Sequence, residues 1–243
     1  YKALYKTGDT FFSGLNEVRP GALVRFDRRG ARQDARFWRP RFDVTDESMT
    51  FEDAVARARD ALVESVRIRL RADVPIAFCL SGGVDSNALI AIAKRKLGFQ
   101  VHGFTIMNTD ERYEEREMVE TAVAELGLRH TTIPVARQDF LSNLRRQIRY
   151  HDSPVSTITY YAQWQLMKAV AEEGYKVSVS GTGADELFSG YFDHQNFYLQ
   201  ALAADPVAQA QARDNWQRVI APVVRNPFLQ DPDCFVKNPA LRD

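Results

Sequence analysis

Two stretches of this sequence combine glycine, hydroxyl and carboxylate side chains at spacings suited to phosphate chemistry. The first is Leu80-Ser81-Gly82-Gly83-Val84-Asp85-Ser86, which follows the apolar run PIAFCL and opens the helical run NALIAIAKRKL. Paired glycines let the backbone turn tightly and leave no β-carbon between its N–H groups and an anion. A helix N-terminus adds partial positive charge, and Ser81 and Ser86 add hydroxyl donors. Asp85 repels a bare phosphate, so its presence implies a Mg2+ ion between carboxylate and phosphate oxygens. No Gly-Lys-Ser/Thr completes a Walker A loop, which disfavours transfer of a γ-phosphate. A plain Gly-Gly turn with Asp85 as a helix cap is the structural alternative. The full Ser-Gly-Gly-Val-Asp-Ser string behind a strand favours nucleotide binding.

The second stretch is Ser180-Gly181-Thr182-Gly183-Ala184-Asp185-Glu186-Leu187-Phe188-Ser189-Gly190-Tyr191, directly after the apolar run YKVSVS. Asp185 and Glu186 read either as ligands or as an acidic helix start, where each carboxylate contributes about 0.3–1 kcal/mol. If the two preceding strands are neighbours, Asp85 and Asp185 converge on one metal ion. Gly181 and Gly183 then bring their backbone up to the nucleotide.

Both stretches need strand ends to hold them. Phe51, Val55, Ala58, Leu62, Val66 and Leu70 recur at helical spacing, with Thr50 as N-cap and Asp53 three residues on. Apolar runs at 75–80, 101–107, 130–135 and 175–180 then alternate with helical patterns. Gly98, Gly127 and Gly174 mark helix ends. Strands separated by helices require crossovers and a parallel sheet, which predicts an α/β, doubly wound domain with helices on both faces. Ligands bind such sheets at the carboxyl ends of the strands, here just after Leu80, Met107 and Ser180. Residues 1–27 read as short strands about the Pro20-Gly21 turn, residues 22–50 as a linker, and the chain beyond Tyr191 as a helical C-terminal extension that is cut short.

Composition bounds the function classes. The chain has 243 residues, 45% of them hydrophobic, enough for a substantial core. Lys+Arg and Asp+Glu both number 32, so no global basic field exists to hold nucleic acid. No apolar run approaches the roughly 20 residues that span a bilayer. Cys79 and Cys234 form no metal-binding pattern, and a reducing, cytoplasmic location is the simplest expectation. His102, His130, His151 and His194 share no ligand spacing and read as structural or surface residues. Asp152 reads as a turn before Pro154, with the substrate pocket as the alternative. Arg145, Arg146 and Arg149 read as a solvated helix face, and Glu111, Glu114 and Glu115 as decoration of the helix that ends near Gly127.

The string SGGVDS after a strand resembles the pyrophosphate-loop signature of the ATP pyrophosphatases, and SGTGADELFSGY narrows the likeness to the glutamine-dependent asparagine synthetase family. TFFSGLNEVRPGALVRFD is similar to the last strands of that family's glutaminase domain. The resemblance implies residues 1–49 as the end of a glutaminase domain and linker, and 50–243 as a synthetase domain, truncated at its C-terminus. It implies ATP, with Leu80 and Ile106 on the adenine side and Ser180 and Gly181 touching the nucleotide by backbone. Ser81, Gly82, Gly83 and Ser86 would hold pyrophosphate, and Asp85 and Asp185 would carry Mg2+. The family's reaction has a carboxylate attack the α-phosphorus, after which ammonia displaces AMP to leave an amide. Asp85, Asp185, Glu186 and Thr182 occupy the positions implied to serve catalysis. The implied partners are a small carboxylate, ammonia and the glutaminase domain, without nucleic acid or membrane, and a homodimer is compatible with the sequence.

Four departures qualify that picture. Asparagine synthetases carry Glu where this chain has Thr182, and an Arg for aspartate where it has the uncharged SPVSTITYYAQ (153–163). The glutaminase Cys is absent from the N-terminus, and the family's phosphate-side Lys is expected beyond residue 243. The isolated chain is therefore expected to bind nucleotide without completing synthesis. Amidation of a sugar carboxylate, another adenylating chemistry such as tRNA thiolation, or a nucleotide-binding module that has lost catalysis are the other readings; balanced charge and unpaired cysteines disfavour the thiolase.

Overall fold

The computed structural model describes residues 8, 10–41, 46, 48–107, 115–135, 138–155 and 157–237. Ala22–Phe26 (β1) and Arg32–Arg36 (β2) pair antiparallel, with Ala22 opposite Arg36 and Phe26 opposite Arg32. Asp27 closes the turn between them: its Oδ1 accepts from the Arg29 and Ala31 N–H groups, and Gly30 takes φ 80°. The expected linker is thus a hairpin over residues 22–36. Every residue of β2 is exposed, so no apolar alternation betrays the strand.

Phe51–Arg69 (α1) begins at Thr50, whose hydroxyl accepts from the Asp53 N–H and donates to the Asp53 carboxylate. That is the cap the spacing predicts. Ile76–Cys79 (β3), His102–Met107 (β4), Arg129–Pro134 (β5) and Val177–Val179 (β6) form an all-parallel sheet in the order β5-β4-β3-β6. Between them run Val84–Ala91 (α2), extended by a π-helical turn over Ile92–Lys96, then Arg116–Leu126 (α3), Phe140–His151 (α4) and Ile158–Glu172 (α5). Gly98, Gly127 and Gly174 take φ 65°, 57° and 85°, the left-handed conformation that ends helices at little cost for glycine.

Alternation along β3 explains how both faces are covered. Ile76, Phe78 and Leu80 pack with Val66 of α1, Ile90 of α2 and Val119 of α3, whereas Ala77 packs with Phe104, Leu166 and Val170 on the α5 side. A central strand buried on both faces must be apolar throughout, as IAFC is. The fold is therefore a doubly wound parallel α/β sheet. After β6 come Ala184–Phe188 (α6), Phe192–Ala201 (α7), Pro206–Asn215 (α8) and Cys234–Lys237 (α9); an ion pair joins Arg213 of α8 to Asp233, just before α9.

The strand order has one consequence for ligands. From β3 the chain builds outward through β4 to β5, then returns to place β6 on the other flank of β3. Connections therefore diverge between β3 and β6, and the crevice at the carboxyl ends of those two strands is the topological switch point.

Candidate functional site

Leu80 follows β3 directly, with both backbone groups engaged. Its N–H donates to the Phe104 carbonyl at 2.9 Å and its carbonyl accepts from the Thr105 hydroxyl at 2.7 Å. Since Thr105 spends its hydrogen on Leu80, His130 Nε2, 2.9 Å from Thr105 Oγ1, carries a hydrogen and donates it. Burial pushes the His130 imidazole below its usual range, towards this neutral form. Residues on β4 and β5 thus fix where the first turn begins. The Leu80 side chain itself lies in the core, 3% exposed. Behind it, burial pushes the Cys79 thiol up, away from the nucleophilic thiolate.

The Ser81–Ser86 turn is stapled from within. Asn87, one turn into α2, donates its amide hydrogens to the Ser81 and Gly83 carbonyls at 3.0 and 2.8 Å. Three backbone N–H groups donate to side-chain oxygens: Ser81 to Ser86 Oγ at 3.2 Å, Gly82 to Glu115 Oε2 at 2.8 Å, and Gly83 to Ser81 Oγ at 3.2 Å. Each oxygen is an acceptor of the kind a phosphate would supply. A β-carbon on Gly82 would come within 2.9 Å of Glu115 Cβ, so the cradle depends on glycine there. The residues present fit a polyphosphate.

The second turn packs against the first. A β-carbon on Gly181 would lie 2.9 Å from the Ser86 nitrogen and 3.0 Å from Asp85 Cβ. Ser180 donates its hydroxyl to Thr182 Oγ1 at 3.1 Å, and both residues are exposed. Asp85 and Asp185 are each half-buried on the two facing turns. The Asp185 carboxylate is aimed at Gly190, where a β-carbon would clash with its Oδ1, and the Gly190 N–H donates to the Asp185 carbonyl at 3.0 Å. Two carboxylates can serve a Mg2+ ion that takes its other ligands from phosphate and water. Among the described residues no group of three or more His, Cys, Asp or Glu side chains is placed to hold a metal ion. Glu186 is exposed and bonded locally: Tyr191 donates its hydroxyl to Glu186 Oε1 at 2.9 Å, a bond that raises the tyrosine's pKa. Gly183, at φ 96°, starts α6 in a conformation that favours glycine.

Other residues take simpler places. Ile106 is half-buried near the end of β4, in register with Ile133. Asp152 caps α4 at φ 50°, and Arg145, Arg146 and Arg149 are exposed. Glu111 and Glu114 lie outside the described residues. Glu115 is the residue that sequence reasoning misjudged: it does more than decorate a helix, because its carboxylate reaches 33 residues back to Gly82. A cavity of about 220 Å3 lies beside the second turn, between Ser180–Ala184 and α1 residues Leu62, Ser65 and Arg69. A larger one, about 1020 Å3, lies along the β1–β2 hairpin and touches none of these residues. No described helix is long and apolar enough to cross a membrane.

The asparagine synthase family model matches residues 57–229. The chain is 29% identical over 166 residues to asparagine synthetase [glutamine-hydrolyzing] 1 of Bacillus subtilis, covering 65% of this chain and 24% of that protein. It is 27% identical over 199 residues to amidase chyE of Penicillium rubens, covering 75% and 30%. The chain thus spans under a third of the length of these two curated relatives. Among solved structures it is similar to an NH3-dependent NAD synthetase of Campylobacter jejuni, at 20% identity and a TM-score of 0.36 over 59% of this chain and 61% of that one.

Proposed function

This chain belongs to the asparagine synthase family, and on that premise we propose that residues 50–243 form an ATP-dependent, amide-forming synthetase domain, with residues 1–49 the end of a glutaminase domain and its linker. The observation that carries the reading is the contact of Gly181 with Ser86 and Asp85, which makes one site of two turns at the switch point of the sheet. Ser81, Gly82, Gly83 and Ser86 donate to the β- and γ-phosphates of ATP, while Ser180 and Gly181 approach the nucleotide by backbone. Ile106 flanks the adenine side, and Leu80, its own side chain in the core, anchors the start of the turn. Bound Mg2+ would be held by Asp85 and Asp185 and would neutralise charge on the departing pyrophosphate.

The site's own residues then set up the reaction. Fixed N–H and hydroxyl donors orient the phosphates so that a substrate carboxylate meets the α-phosphorus, and they do so without reorganising as charge develops. A carboxylate is a poor acyl donor until its oxygen becomes a good leaving group, so activation precedes attack by ammonia. Thr182 supplies a hydroxyl, bonded to Ser180, where asparagine synthetases carry Glu. The segment 153–163 offers no cation for a second carboxylate. The preferred substrate is therefore a carboxylate other than aspartate, a sugar uronate or another amino acid.

Exchange of labelled pyrophosphate into ATP by the full-length protein, run with a panel of carboxylic acids, tests this. Exchange that depends on a non-aspartate acid is expected. Robust exchange with aspartate would contradict the substrate assignment, and ATP binding without exchange by any acid would favour a nucleotide-binding module.

A further inference from the structure

The three N–H donors of the first turn are not satisfied alike. Ser86 Oγ and Ser81 Oγ belong to the turn and are neutral hydroxyls that can rotate aside. Glu115 Oε2 comes from the start of α3, 33 residues along the chain, and belongs to a carboxylate. An anion that takes the Gly82 N–H must displace this carboxylate and then lie beside its negative charge. A polyphosphate carrying Mg2+ brings less net charge and a cation for the displaced carboxylate to face. We propose that Glu115 is a specificity-determining residue of this site, holding the Gly82 N–H against bare anions so that polyphosphate is accepted preferentially as its Mg2+ complex. The inference rests on the nucleotide reading of the first turn.

Position supports the assignment. Glu115 is exposed and its β-carbon lies against Gly82, with Met118 Cβ alongside, so α3 presents the carboxylate to the turn from a packed helix start. Like unit charges about 4 Å apart and fully exposed to water repel by about 1 kcal/mol, enough to change affinity about fivefold, and slightly more where water is partly excluded. Glu117, two residues along the same helix and equally charged, provides the comparison.

Calorimetry with inorganic pyrophosphate, with and without Mg2+, separates the outcomes. Glu115→Gln should tighten metal-free pyrophosphate binding about five- to tenfold and change Mg-pyrophosphate binding less than about twofold. Glu117→Gln should leave both affinities within about twofold. Equal shifts in the two variants, or an unchanged ratio of metal-free to metal-bound affinity in Glu115→Gln, would overturn the inference alone. Weaker binding of both forms by Glu115→Gln would overturn it too, by making the carboxylate a support of the turn. A wild-type chain that binds neither form would bring down the nucleotide reading and this inference with it.

Discussion

Gly181 is packed directly on Ser86, so close that a β-carbon would fall 2.9 Å from the Ser86 backbone nitrogen. Backbone cannot yield as a flexible side-chain tip can, so Gly181→Ala must push the two turns apart. Overpacking of this kind costs about 1–3 kcal/mol. Thermal unfolding should show a lowered Tm, and nucleotide affinity should fall with it. Gly83→Ala is the contrast for stability, since a β-carbon there meets only Ser81 Oγ at 3.3 Å. Equal Tm losses in the two variants would argue against a tight contact at Gly181.

Thr105 links β5 to the start of the first turn. Thr105→Val keeps the shape but leaves the Leu80 carbonyl and the His130 N–H without their partner, at a cost of about 1–3 kcal/mol for a buried group. The expected result is a weakened affinity for ATP, because the turn is displaced while its donors remain. A variant that binds ATP as tightly as the wild type would remove Thr105 from this role.

How far the sequence alone reached can be judged residue by residue. Thr50 and Gly127 were legible because capping is local: the cap and its partner lie within a few residues, and a left-handed helix end asks for glycine. The parallel sheet was legible from alternating apolar runs. Its order was not, and the convergence of the two turns hung on a condition that only the β3–β6 pairing meets. Glu115 and Thr105 were missed because their partners lie 33 and 25 residues away in sequence and come near only through the packing of α3 and the register of β4. Had the Gly82 amide been asked for its acceptor, an acidic residue at the start of the next helix was the one available signal. The second strand of the hairpin escaped because a fully exposed strand carries no alternation.

Acid should destabilise the domain in a window set by histidine. His102 is 3% exposed; burial first, then the Arg129 charge, holds its imidazole below the usual range, and burial does the same to His130. Groups whose folded pKa is depressed bind protons more readily when unfolded, so their stabilisation is complete above the unfolded value of about 6.5 and is lost as pH falls below it. Asp231 and Asp233, held low by Lys237 and Arg213, lose their contribution only below about pH 4. Urea midpoints at pH 7.5 and 5.5 should therefore drop in the wild type and drop less in His102→Gln. An equal drop in both would place the acid sensitivity elsewhere.

In the function proposed above, the two turns form one Mg-ATP site, with Asp85 and Asp185 as its metal carboxylates. Loss of a charged ligand of this type costs about 1.5–3 kcal/mol, or roughly 10- to 100-fold in affinity. The most direct measurement is titration calorimetry of Mg-ATP against the wild type, Asp85→Ala and Asp185→Ala, each checked for folding by circular dichroism. The account predicts a Mg-dependent affinity that falls at least about tenfold in both variants. Mg-ATP binding that is unchanged in folded Asp85→Ala would contradict it.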